Sequence, residues 1–543
     1  MCMMLFQTRP FWIEFRVPLS LVREKFLFYF GKEEIEIKDL EKAHSIIFKA
    51  LTTSQEYILK RIKDHGALDS LLKISYIFGE VQSYYFSEKG ARKKLVKNNI
   101  SPKGLVDTFE ENKDIMRCIL DASNIWIENC ILYQSEDDQI ISEKTVRESF
   151  VIDMDLLIDL YVCGMCSQAV SFLTLSKNNN GLTFEGIRIT PHSNTPFILD
   201  YYHPVIYFNT AIVGNQDILE KQPLNDKANQ TPFGIGFAKT YGVDFLLFLA
   251  TIYRFQVNEL KGNDRAIRII GKKQFEWLVE HSTNLPINGG IFYNSFVLTQ
   301  RKIQSQLREG EPIVWKQGVN KERIEIKPFI ALGDNVILSY ALLEQAKQLW
   351  ASYFSNGGSC YSGNEDYLLR AMNKRNQELS DILVVRIREE LNKRFHPKVD
   401  SYDVKYDRIF GNRDINYGDF DVVFYTEDTN ELFLVEAKYF SDSLNASAVV
   451  TDYNKLFEKE GYYDYCRRRY DLVLAEPERV KAFIGTEDEI KIHLLFISSK
   501  PLELEIQDED GVVTFLSLNV FGKYLDGNLI SENGEVVRPI HII

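Results

Sequence analysis

The chain has little of what marks a secreted or membrane protein. Its seven cysteines are scattered through 543 residues, and an odd count with no dense framework suits a reducing compartment rather than a disulfide scaffold. The amino terminus, "MCMMLFQTRPFWIEFRVPLS", lacks the basic-then-apolar order and small-residue cleavage site of a secretory signal. The most apolar later run, "YGVDFLLFLATIYRF", contains Asp244 and falls short of the roughly 20 residues a membrane-spanning helix needs, so it reads as a core helix. A cytoplasmic protein is expected.

An excess of basic charge is also missing. The formal net charge is −13, and most of it falls between residues 361 and 543. That balance argues against a broad basic surface coating nucleic acid, so any polyanion must be held locally, by a few lysines and arginines or through divalent cations. No repeat at solenoid periods and no low-complexity tract is present, which sets repeat architectures aside.

Several catalytic signatures are absent as well. There is no HExxH zinc motif and no G-x-S-x-G elbow, "GKKQ" at Gly271 lacks the spacing of a P-loop, and "GIGF" at Gly234 is a fragment of a dinucleotide loop. One CxxC occurs, "CGMC" at Cys163 to Cys166, with no second pair or nearby histidine and inside a helix-like apolar run, so these thiols read as core residues. His192 and His203, in "PHSNTPFILDYYHP", read as satisfied loop residues rather than ligands.

What the chain does contain is 45% hydrophobic residues, with 36 Phe and 28 Tyr, enough for several packed cores, and its length suggests about three units. From Glu34 to Lys177 apolar residues recur at three and four positions, predicting a mainly helical region over 1–180. Turn formers and short β-branched runs then predict a mixed α and β region over 181–355, a place for sensing, for a partner protein or for homo-oligomerisation. The strongest punctuation, "FSNGGSCYSGNED" from Phe354 to Asp366, opens a third unit over 356–543. The expected class is α+β or α/β and multidomain.

The third unit carries the chemistry. One long helix or two, from Glu365 to Phe395 and ended by His396 and Pro397, precede three strands, "DSYDVKYDRIF", "DFDVVFY" and "ELFLVEAKYF", the last two joined by the turn-rich "TEDTN". A helical stretch from Ala446 to Ala475 and the strand "IKIHLLFISS" follow. Strand alternation puts Glu436 and Lys438 on one face, and Asp421 on the preceding strand can reach it. Two carboxylates so placed repel one another unless a cation neutralises them. Mg²⁺ meets that need, with the Ala437 carbonyl as a further oxygen and Mn²⁺ as a substitute. Phosphodiester hydrolysis is the implied chemistry, while a structural ion pair with an edge-protecting lysine is the plainer alternative.

The stretch "GDFDVVFYTEDTNELFLVEAK", with that order of elements, resembles the D…ExK core of the PD-(D/E)XK, or restriction-endonuclease-like, nuclease superfamily. The resemblance covers about 364–499 and implies an αβββαβ core. It implies Asp421 and Glu436 as metal ligands and Lys438 as the catalytic lysine, with DNA the substrate and RNA the variant. Asp419 competes with Asp421 for the first position. Glu378 matches the acidic residue many members carry on the first helix, with Glu365 behind it, but the glutamine often found on the later helix is missing. Tyr453 and Lys455 stand where substrate contacts are expected, and the triplet Arg467, Arg468 and Arg469 reads as a solvated helix face. The expectation is a Mg²⁺-dependent endonuclease regulated by its amino-terminal part, by analogy an effector of bacterial antiviral defence or restriction. A catalytically silent nucleic-acid-binding or scaffold protein is the rival.

Overall fold

The computed structural model describes residues 9–31, 35–37, 40–97, 103–135, 145–146, 151–175, 179–185, 188–193, 224–283, 286–315, 322–358, 367–441, 446–500, 502, 507–530 and 535–543. Three sheets organise them, in a mixed α+β chain.

The first part is helical because its apolar residues recur at helical spacing. After a single turn α1 (Phe11–Glu14) come α2 (Leu19–Phe30), α3 (Leu40–His65), α4 (Ala67–Lys97), α5 (Lys103–Leu132) and α6 (Met154–Leu175). On α5, Ile115, Ile119, Ala122, Trp126 and Cys130 form a buried stripe against α6. Gly164 of α6 explains the glycine of "CGMC": a Cβ there would stand 2.1 Å from the Cys118 carbonyl oxygen, so only glycine permits this close helix contact. Cys163 and Cys166 are buried free thiols, and the Trp126 indole N–H donates to Cys163 Sγ at 3.5 Å. A small sheet joins β1 (Ile35–Ile37), β3 (Asn179–Glu185) and β4 (Arg188–Ser193). The strand β4 spans His192, whose side chain, like His203 altogether, lies outside the described residues.

A second sheet has the order β2 (Thr145–Val146), β5 (Ile267–Gly271), β8 (Asn335–Ser339), β7 (Phe329–Leu332), β6 (Val297–Leu298). Alternation along its strands serves two cores. Ile267, Ile269, Ile330 and Ile337 face the helices of the first part. Ile270, Ala331, Val336 and Leu338 face an aromatic core under α7 (Pro232–Tyr241), α8 (Phe245–Arg254) and α12 (Tyr340–Asn356). The helices α9 (Lys272–Glu280), α10 (Gly289–Phe296) and α11 (Gln300–Gln304) complete this layer. The predicted units 1–180 and 181–355 therefore share one sheet. The apolar run at Tyr241 supplies α8, with Phe245, Phe248 and Ile252 buried, and no single described helix is long and apolar enough to cross a membrane.

Residues 359–366 of the expected boundary stretch lie outside the described residues, and a helix follows them. α13 (Tyr367–Asn392) buries Leu368, Ala371 and Met372 in the aromatic core, then Leu379, Leu383, Ile387 and Leu391 under the last sheet. Gly236 of α7 lets the two helices meet, since a Cβ there would lie 2.9 Å from Leu368 Cα. The start of α13, in the unit expected over 356–543, thus packs into the core of the preceding part.

The last sheet has the order β13 (Thr514–Ser517), β12 (Lys491–Ser498), β11 (Glu431–Lys438), β10 (Asp419–Thr426), β9 (Val399–Lys405), with β14 (His541–Ile542) against β12. β9, β10 and β11 are antiparallel, whereas β11, β12 and β13 are parallel. One face packs on α13 and α18 (Leu518–Leu525); the other packs on α14 (Tyr406–Phe410), α16 (Tyr462–Ala475) and α17 (Pro477–Ile484). Two expectations need correction. "YDRIF" is the short helix α14 and not a strand end, because Ile409 and Phe410 turn into the core beside Val404. The helical stretch 446–475 is two helices, α15 (Ala446–Phe457) and α16, broken where Glu460 takes a left-handed φ of 65° before Gly461.

Candidate active site

The hairpin register builds the site. Val422 of β10 pairs with Val435 of β11, so the next residues outward along the two strands are Asp421 and Glu436. Glu436 shares the Leu432 and Leu434 face, which looks toward α16, and Lys438 follows on the same side. The Lys438 ammonium lies 2.6 Å from Glu436 Oε1 and 3.0 Å from Asp421 Oδ2. Asp421 Oδ2 also accepts the Ala437 backbone N–H at 2.6 Å. Asp421, Glu436, Ala437 and Lys438 are thus brought together.

The inner wall was missed by sequence reasoning. Arg469 of α16 is buried and ion-paired with Glu436 Oε2; it donates to the Tyr417 carbonyl at 2.8 Å and stacks 5.6 Å from the Phe420 ring centroid. Beside it, the Tyr470 hydroxyl accepts the Glu436 backbone N–H at 3.1 Å and sits against the carbonyls of Leu434 and Leu495, joining α16 to β11 and β12. A signal for this existed: Cys466, Arg469, Tyr470 and Val473 lie at three- and four-residue spacing and form the buried stripe of α16. The arginine triplet therefore divides. Arg467 pairs with Asp471, Asp508 and Asp510, Arg468 is exposed over the Tyr465 ring, and Arg469 points inward, so the single solvated face expected for all three is wrong.

Electrostatics follow from burial. The Glu436 side chain is 5% exposed, and that burial pushes its carboxyl above the usual range, opposed by Lys438 and Arg469 and reinforced by Asp421. Burial also works against the Lys438 ammonium, yet Glu436 and Asp421 outweigh it and hold its pKa above the ordinary lysine value. Lys438 is therefore a cation at neutral pH, suited to stabilising charge rather than to accepting a proton. Its Nζ stands 5.5 Å from the ring centroid of Tyr462, at the start of α16.

A second unpredicted residue lies across β10. Phe420 pairs with Val404 and Val422 with Tyr402, which brackets Asp403 opposite Asp421. Asp403 has a left-handed φ of 49°, a conformation aspartate tolerates better than most residues. Its carboxyl is pushed up by burial and then by the charges of Asp421, Asp419 and Asp381, against Lys438. Asp419 is exposed at the start of β10, paired in register with Lys405, so the contacts with Lys438 belong to Asp421. Glu378 is exposed on α13 with its carboxylate 3.2 Å from Arg375; Asp381, one turn later, is the α13 acid whose charge reaches Asp403. Glu365 and the Tyr453 side chain lie outside the described residues, and Lys455 is exposed on α15.

The edge-lysine alternative does not suit this position, since β11 is flanked by β10 and β12. The donor chemistry suits Mg²⁺, because both carboxylates converge on one ammonium and a cation near that point would reach both. Among the described residues no three acidic, histidine or cysteine side chains are grouped to hold a metal ion, so the remaining ligands would be water, backbone or phosphate oxygens. Both Glu436 oxygens already carry a cation, Lys438 on one and Arg469 on the other. No protein-family model, curated protein or solved structure matches the chain.

Proposed function

We propose that the carboxy-terminal part is a restriction-endonuclease-like αβββαβ core and that the protein is a Mg²⁺-dependent endonuclease acting on DNA. One observation carries the reading: Asp421 and Glu436, from paired internal strands, meet at the Lys438 ammonium within 3.0 Å. The run of α13, three antiparallel strands, the α15 to α17 crossover and parallel β12 supports it. Asp421 and Glu436 would hold the ion, whose chemistry there would be to polarise a phosphodiester and to lower the pKa of a water. Lys438, kept charged by its neighbours, would orient the phosphate and stabilise the negative charge that builds on it.

Regulation by the amino-terminal part is supported by α13, whose first half belongs to the core before it and whose second half underlies the proposed catalytic sheet. The Tyr439 hydroxyl, next after Lys438, donates to the Asn356 carbonyl at 2.8 Å. Through this contact a change in the first part would reach the end of β11. An effector in antiviral defence or restriction, working in the cytoplasm, is the reading by analogy.

The complete ion pairing of Glu436 supports a second reading, a nuclease-like fold that binds nucleic acid without cutting it. Plasmid, linear duplex, single strands and RNA, incubated with Mg²⁺ or EDTA beside a Lys438→Ala variant, separate the readings. Metal-dependent DNA cutting that the variant loses is the expected result. RNA-only cutting moves the substrate to RNA, and binding without cutting under all conditions supports the silent fold.

A further inference from the structure

Resting on that reading, Arg469 stands out as a charge the proposed chemistry does not use. Two carboxylates, Asp421 and Glu436, face two cations, Lys438 and Arg469. The inner charges balance, and a divalent ion added to them would meet like charges at close range. One resident cation must yield. The proposed chemistry keeps Lys438 at the phosphate, beside Asp421 and Glu436 Oε1, which leaves Arg469 as the cation that yields. Arg469 is 3% exposed and fixed at three points: Glu436 Oε2, the Tyr417 carbonyl and the Phe420 ring.

The Tyr417 carbonyl belongs to the strap of residues 411–418 that leads into β10. Gly418, with φ of 79°, has no Cβ where one would stand 2.7 Å from Arg469 Nη1, so the strap closes directly over the guanidinium. The guanidinium, the Glu436 carboxylate and the strap form one closed contact.

We propose that Arg469 is a built-in competitor of the divalent cation for Glu436, and that the ion gains its second carboxylate only as Arg469 releases Glu436 and the Tyr417 carbonyl together. The site is thus held in a low-affinity state by a residue of its own wall. Asp403, Asp419 and Asp381 supply the surrounding negative charge that a dication would draw on once the guanidinium withdraws.

The full-length protein, its Arg469→Gln variant, and each of these combined with Glu436→Gln are titrated with Mn²⁺ by calorimetry. Hydrogen exchange over 411–418 is followed in the same samples. Arg469→Gln is expected to bind Mn²⁺ at least tenfold more tightly than the parent, with the gain lost when Glu436→Gln is added. Exchange at 411–418 is expected to quicken when Mn²⁺ is added to the parent and to be already fast in the variant. If Arg469→Gln does not fold by circular dichroism, Arg469→Lys, which cannot span Glu436 and Tyr417 at once, is read in its place and is also expected to tighten binding. Equal or weaker binding in a folded variant overturns the proposal. Mn²⁺ uptake that Glu436→Gln leaves unchanged in both backgrounds instead sinks the assignment of the metal site itself.

Discussion

Breaking the Arg469–Glu436 pair should be far more costly than replacing it. The two side chains are 3% and 5% exposed, so Arg469→Leu leaves a desolvated carboxylate with Lys438 as its remaining counter-ion and strands the Tyr417 carbonyl. Removing one partner of such a pair costs about 3–5 kcal/mol, and the lost carbonyl bond adds about 1 kcal/mol. Glu436→Leu leaves the guanidinium buried and costs a similar amount. The double variant buries two apolar side chains of similar bulk instead, and such replacements are often close to neutral, so the cycle should show about 3 kcal/mol or more of coupling. Fluorescence cannot read this, because all five tryptophans lie before residue 356. Hydrogen exchange of the β10 to β12 peptides can: at about 1.4 kcal/mol per factor of ten, each single variant should exchange at least a hundredfold faster there, with the double variant near the parent. A coupling below about 0.5 kcal/mol would mean the pair is screened by water, and the account of a closed inner wall would fail.

Three further expectations concern other parts of the chain. Gly164→Ala drives a methyl into the Cys118 carbonyl and should force α5 and α6 apart at about 2 kcal/mol or more, read from the emission of the buried Trp126; an unchanged midpoint contradicts the close contact. Glu128, fully buried beside Arg323 and Glu325, has its carboxyl pushed by burial up to about 7. Its folded state holds the proton more tightly than the unfolded one. Its contribution is therefore complete below about pH 4.5 and is lost as pH rises through 7, a change of up to about 3 kcal/mol. Glu128→Gln should remove that part of the slope between pH 5 and 8, whereas an unaltered profile would show Glu128 ionised against Arg323 throughout. In the cleavage assay, Asp421→Asn should abolish activity, while Asp419→Asn and Glu378→Gln should stay within a few fold of the parent; a null Glu378→Gln would return that residue to the site.

The two strands of the site were readable because their information is local. Alternation alone places Glu436 and Lys438 on one face, and "TEDTN", where Asn430 takes a left-handed φ of 51°, closes the hairpin that sets Asp421 beside them. The helix α13 was visible from its apolar spacing, but which of its exposed acids lies nearer the sheet was not: the charge of Asp381 reaches Asp403, a residue of the neighbouring edge strand. Likewise "YDRIF" has strand-like residues and becomes a helix because the core beside Val404 takes Ile409 and Phe410 from one short turn.

From residues 420 to 440 alone one could determine that two acids and an amine share a strand face, since a period of two is a property of the backbone. Whether those charges meet each other, an arginine or a metal depends on groups distant in sequence: Arg469 arrives from a helix 33 residues after Glu436, and Asp403 from the neighbouring strand. Coulomb energy depends on distance through space and on how much water remains between the charges. Both quantities exist only once α16 has packed on the sheet.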